Sequence, residues 1–141
     1  MNKYHVSFLQ YHITFFTKHY RCIQDEEKPF IKKYFQSVST RHEFKIVEMD
    51  IRECRVNLII HCKTTHYIPN IMKALKGGSA RFLYKAFPET KLNYKGSLWE
   101  QKYFIATEDT QLDKMVRRYR DVNKPFRIKV GRMIFTIFHM S

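Results

Sequence analysis

Cys54-Arg55-Val56-Asn57-Leu58-Ile59-Ile60-His61 is the stretch whose reading decides the fold. Taken with a period of two, Val56, Leu58 and Ile60 share one face and Arg55, Asn57, Ile59 and His61 the other. That is the pattern of a strand with one side in a core. The polar pair Arg55 and Asn57 therefore projects from a single sheet face, which is either a site or a solvated surface.

Working outward, Phe44 to Met49 reads as a preceding strand and Asp50 to Glu53 as a tight turn, so that Cys54 to Lys63 completes an antiparallel hairpin. Upstream, Gln10 to Tyr20 alternates Tyr11, Ile13 and Phe15 against His12, Thr14 and Phe16 and predicts the first strand. Asp25-Glu26-Glu27-Lys28-Pro29 supplies acids and a proline where a helix start wants them. Phe30, Ile31, Tyr34, Phe35 and Val38 then follow at helical spacing, to about Thr40. Downstream, Pro69 starts a second helix whose apolar face runs from Ile68 to Phe87, where Pro88 closes it. Gly77 and Gly78 lie inside it, predicting a break or a close approach to the backbone. A loop from Leu92 to Gln101, a fourth strand from Lys102 to Thr107, and a helix after Glu108-Asp109-Thr110 follow. Asn123-Lys124-Pro125 stops that helix, and Phe126 to Phe138 reads as a hairpin turning at Gly131-Arg132.

The order predicts an α+β fold: a ferredoxin-like or RRM-like antiparallel sheet with helices on one face, an extra C-terminal helix bearing Tyr119, and a terminal β-hairpin. At 141 residues the chain has room for one domain. We expect residues 1–124 to form its body and 125–141 a hairpin extension.

Twenty-six Lys and Arg against thirteen Asp and Glu give a net charge of +13, which bears on partners rather than on fold. A polyanion is the expected partner. No apolar run approaches the ~20 residues that span a bilayer, and Met1 to His5 lacks the features of a signal peptide, so the expected location is the cytoplasm, with no membrane partner. Cys22, Cys54 and Cys62 are odd in number and lack CxxC spacing, indicating neither a disulfide framework nor a zinc knuckle.

Lys73, Lys76, Arg81 and Lys85 make a cationic stripe on the second long helix, either a phosphate track or a solvated flank. Tyr119 and Asn123, four residues apart, share one flank of the last helix, with Arg117, Arg118 and Arg120 around the tyrosine. Cationic neighbours favour the phenolate, a better nucleophile toward a phosphodiester, although a tyrosine on a partly apolar helix also serves as packing.

Tyr11-His12-Ile13-Thr14-Phe15-Phe16-Thr17-Lys18, Leu75-Lys76-Gly77-Gly78-Ser79-Ala80-Arg81, Leu98-Trp99 before Tyr103-Phe104-Ile105, and Val116-Arg117-Arg118-Tyr119 together resemble the small single-tyrosine HUH transposases of the TnpA type, REP-associated tyrosine transposases included. The resemblance covers about Tyr4 to Asn123. It implies a homodimer that folds hairpin DNA against a basic surface and cuts single strands through a 5′-phosphotyrosine. It makes Tyr119 the nucleophile, often presented by the partner subunit, and puts Asn123 at the auxiliary amide of the metal site. Lys73, Lys76, Arg81, Lys85, Arg117, Arg118 and Arg120 are the cations expected to contact DNA phosphates.

The resemblance fails at the stretch quoted first. Where the family carries two histidines that hold Mg²⁺ or Mn²⁺, this chain has Arg55 and Asn57. Arg has no lone pair to donate, and one or two amides make a poor site for a hard cation. His61 lies about 13 Å beyond Asn57 at ~3.3 Å per residue, too far to stand in. No metal cofactor is therefore expected. Arg55 is suited to engage a phosphate bidentately. The expected function is recognition of single-stranded or hairpin DNA with degenerate nicking and strand transfer. The alternatives are an active transposase with a remodelled site and, with no RNP-type aromatic motif to support it, an RNA-binding module.

Overall fold

Burial along the quoted strand alternates without exception: Val56, Leu58, Ile60 and Cys62 are buried, while Arg55, Asn57, Ile59 and His61 are half-buried. The computed structural model describes residues 8–94, 97–122, 126–130 and 133–137. Its elements are β1 (Leu9–Thr17), a 3-10 turn (Lys18–Tyr20), α1 (Lys28–Arg41), β2 (Lys45–Arg52), β3 (Arg55–Cys62), α2 (Ile68–Ala86), α3 (Pro88–Tyr94), β4 (Trp99–Ala106), α4 (Asp109–Val122), β5 (Phe126–Val130) and β6 (Met133–Ile137).

The main sheet has the order β2-β3-β1-β4, and every pairing is antiparallel. The β1–α1–β2 connection steps over β3, and β3–α2–β4 steps over β1, which is the split βαβ arrangement of an α+β ferredoxin-like sheet. Helices α1 and α2 pack on each other. Their Ile31, Phe35, Val38, Ile71, Leu75 and Leu83 join Ile13, Phe15, Val56, Leu58 and Ile60 in one core. Both helices start with a proline in the first turn, where its missing N–H is no loss.

Helix α4 lies on the other side of the sheet. Its first residue, Asp109, meets the imidazole Nδ1 of His12 at 2.5 Å, and His12 points away from the face of Ile13 and Phe15 because neighbours on a strand point oppositely. Leu112 and Val116, on the same flank of α4, are buried outside the main core.

Several sequence-based expectations shift. Asp50 pairs with Asn57 inside the ladder, so the hairpin turn is Glu53-Cys54 rather than Asp50 to Glu53. Glu53 takes the positive φ of 43° that such two-residue turns demand of their first central position. The first strand ends at Thr17 because His19 and Tyr20 turn left-handed, with φ of 57° and 54°. Pro88 does close α2, but it also starts α3, with Glu89 in the first turn. Trp99 belongs to β4 rather than a loop; it is buried, and its indole N–H donates to the Ser79 hydroxyl at 2.9 Å. Helix α2 runs on through its two glycines without a break. The terminal strands β5 and β6 pair with each other in a separate two-stranded sheet. The helix stop at Asn123-Lys124-Pro125 and the turn at Gly131-Arg132 lie outside the described residues.

Candidate functional site

The sheet face turned away from α1 and α2 gathers the polar side chains of β1 and β3. Thr14 stands opposite Asn57 and Phe16 opposite Arg55. The Thr14 hydroxyl donates to the Asn57 side-chain oxygen at 2.7 Å, and Arg55 Nε donates to the same oxygen at 2.8 Å. A terminal guanidinium nitrogen of Arg55 also reaches Thr14 Oγ1 at 3.5 Å, and the guanidinium carbon lies 5.6 Å from the Phe16 ring centroid. Arg55 is thus held between an amide, a hydroxyl and an aromatic face.

This geometry decides whether the position fits a divalent cation. The one atom of the Arg55 and Asn57 pair able to coordinate a hard ion is Asn57 Oδ1, and it already accepts two hydrogen bonds. A permanent cation sits within hydrogen-bond reach of it. A metal there would displace both donors and face the repulsion of the guanidinium, so the residues present do not fit one.

The other histidines of the region are engaged elsewhere. His61 shares a hydrogen bond with Gln10 Oε1 at 2.7 Å and stacks on Phe8 with ring centroids 4.5 Å apart. His66 Nδ1 accepts from the Lys63 amide and its Nε2 meets the His42 carbonyl, both at 2.7 Å. Cys62 is buried, and burial pushes its thiol pKa up, away from the thiolate a metal would need. Among the described residues, no group of three or more His, Cys, Asp or Glu is arranged to hold a metal ion.

Tyr119 lies in α4, three residues after Val116 and seven after Leu112, positions that share one helical flank. The His12–Asp109 contact pins the start of this helix to the same sheet face that displays Arg55 and Asn57. Arg117 and Arg118 are exposed, and Arg120 continues the helix beyond them. Asn123 lies outside the described residues.

The stripe on α2 is elsewhere. Because α2 packs on the core face, Lys73, Arg81 and Lys85 are exposed on the far side of the sheet from Arg55. Lys76 reaches back to the sheet: its ammonium donates to the Gln101 carbonyl of β4 at 2.8 Å. Burial pulls its pKa from 10.5 down to about 8, against the upward pull of Glu100.

Thr14, Phe16, His12 and Asp109 complete this face, and sequence reasoning did not single them out. The alternation of His12, Thr14 and Phe16 placed three of them on one side of β1. What was lacking was the cross-strand register.

Comparisons with known proteins agree with this architecture. Residues 5–121 match the family described as "Transposase IS200 like". The chain is 26% identical over 113 residues to the ISDra2 transposase TnpA of Deinococcus radiodurans, covering 79% of this chain and 81% of the relative. It superposes on a crystallised candidate transposase of Deinococcus radiodurans R1 with a TM-score of 0.75 at 27% identity, covering 86% of this chain and 95% of that one. A REP-associated tyrosine transposase bound to a REP hairpin shares the fold, with a TM-score of 0.54 at 11% identity over 86% of this chain and 67% of that one. With the family match running from before β1 almost to the end of α4, and the same antiparallel sheet beneath it, the chain belongs to the IS200-like transposases.

Proposed function

We propose that this transposase-family chain binds single-stranded or hairpin DNA and has lost metal-dependent nicking and strand transfer. The observation that carries the reading is the closed hydrogen-bond set on Asn57 Oδ1, which leaves no hard-cation site where the family resemblance implies one. A positioned Lewis acid supplies several kcal/mol of transition-state stabilisation in phosphoryl chemistry, and its loss is enough to silence the reaction. Binding survives that loss, because it rests on charge: the net +13 and the exposed cations of α2 and α4 neutralise phosphates without any metal. The hairpin complex of the structural neighbour supports hairpin DNA as the ligand class. We place the protein in the cytoplasm as a homodimer. No helix among the described residues is long and apolar enough to cross a membrane.

One observation favours a second reading, an active transposase with a remodelled site. Arg55 stands at a position that the family resemblance gives to a metal ligand, its guanidinium is held there by Asn57 and Phe16, and guanidinium matches phosphate geometry. In that case the Tyr119 phenol oxygen attacks phosphorus, the bond to the 3′ oxygen breaks, and a 5′-phosphotyrosine forms with a free 3′ hydroxyl.

Covalent trapping on a single-stranded oligonucleotide carrying a subterminal hairpin separates the two. The proposal expects binding without any adduct, unchanged by chelator. An adduct formed by the parent and lost in Tyr119→Phe establishes the remodelled enzyme instead. Failure to bind any DNA overturns both.

A further inference from the structure

At the β2–β3 turn the structure opens a cavity of about 430 Å³, walled by Phe16, Ile51 and Arg55 and rimmed by Lys28, Arg52 and the Glu53-Cys54 turn. We propose that this cavity is a subsite for one unpaired nucleotide, with the base against the Arg55 guanidinium and its phosphate at Lys28 and Arg52. The proposal rests on the DNA-binding reading above and specifies where along the strand that reading acts.

Size sets the first constraint. Small-molecule pockets run from about 300 to 1,000 Å³, a range that takes in a single nucleotide. The walls set the second. Unpaired bases are recognised by stacking on aromatic rings and on guanidinium planes. Arg55 lies over the Phe16 ring at 5.6 Å, and Tyr20 meets Phe16 edge-on at 5.4 Å. Phe16 is itself buried, so the plane offered to a base is the Arg55 guanidinium, which the ring backs.

Charge sets the third. Lys28, Arg52 and Arg55 face one carboxylate, that of Glu53, among the lining residues. Lys28 and Arg52 pair with Asp25 at 3.1 Å and Asp50 at 2.8 Å, and Asp25 is almost fully exposed. Surface pairs of this kind contribute little, so both cations are able to turn to a phosphate.

The walls are also preformed. Glu53 holds a left-handed backbone that a non-glycine residue adopts at a cost. Its carbonyl accepts from the Ile23 amide at 2.6 Å, and the Cys54 carbonyl accepts from the Thr17 amide at 2.9 Å. His19 and Tyr20, also left-handed, border the same end of β1. Strained backbone clamped from both sides is a feature of sites that must hold their shape before the ligand arrives. Arg55 links the cavity to Asn57, so an occupant would be continuous with a strand lying on the candidate site.

The test is an abasic scan. A hairpin oligonucleotide with a single-stranded flank is prepared with one flank position at a time lacking its base, and affinities are compared for the parent and for Lys28→Glu/Arg52→Glu. Both substitutions are at the rim, and circular dichroism checks that the variant folds. The expected result is one flank position whose missing base weakens parent binding by about tenfold or more, the usual size of a base-stacking loss. The same omission should leave the variant unchanged. If no position discriminates although the parent binds, the subsite is refuted and DNA binding stands. Discrimination that persists in the variant refutes it too, by placing the base elsewhere. If the parent binds no form of the oligonucleotide, both readings fall.

Discussion

At Asn57 one side-chain oxygen is shared by Thr14 and Arg55, and the two hydrogen bonds it accepts compete with any ion. Replacing the pair by imidazoles removes the guanidinium charge and restores two lone pairs on one sheet face. Arg55→His/Asn57→His should therefore gain Mn²⁺ binding in calorimetry, with the parent showing no such binding heat. That Arg55 and Asn57 share a face was legible from the period of two. That Thr14 would close the site was not, since the Thr14–Asn57 register is set by pairing across 43 residues of sequence. Lys76 gives a second residue-scale prediction. Its pKa is lowered in the folded chain to about 8. As pH rises through that value the folded protein releases the proton before the unfolded chain does, so the unfolded state binds more protons and stability rises. Urea midpoints should show the parent gaining on Lys76→Met between about pH 7 and about pH 9.5, with no gain below about pH 7, where both states are charged.

Helix α2 shows how two adjacent glycines carry opposite meanings. A Cβ on Gly78 would overlap the Tyr34 ring of α1, whereas one on Gly77 would meet nothing nearer than the Arg81 guanidinium at 3.9 Å. The α1–α2 crossing is thus built on the bare backbone of Gly78. Gly78→Ala should destabilise the protein by about 1–3 kcal/mol, the usual range for overpacking. Gly77→Ala should stabilise it by about 0.5–1 kcal/mol, since alanine is the better helix former where space is open. Thermal denaturation of the two variants checks the contrast, and equal effects would contradict the packing. The long helices were legible because their apolar spacing is local. Helix α3 was not, because Pro88 reads equally as the end of α2 and as a first-turn proline. What holds α3 is long-range as well: Thr90 donates to the buried carboxylate of Glu27 at 2.6 Å, which also caps the Gln24 amide at 2.8 Å.

For the molecule as a whole, the sheet divides the charge. Helices α1 and α2 cover one face and α4 part of the other, so the cations of α2 and those of α4 belong to two surfaces, a separation that composition and a linear stripe of lysines do not reveal. Local pattern gave the strand and helix order, but only the β2-β3-β1-β4 order says which side each helix takes. If a hairpin stem and its single-stranded flank are held by different faces, their electrostatic contributions are separable. Lys73→Glu/Arg81→Glu should weaken binding of an isolated hairpin stem and lower the salt slope by about one unit for each phosphate that is no longer neutralised. The same change should leave the affinity of a bare single strand nearly unaltered. Arg117→Glu/Arg118→Glu should do the reverse. Sites this far apart and without shared partners add within a few tenths of a kcal/mol, so the quadruple variant should show the sum of the two losses on the full substrate. Titrations over a range of salt concentrations read both quantities, and identical losses on stem and strand would mean that one continuous surface binds both.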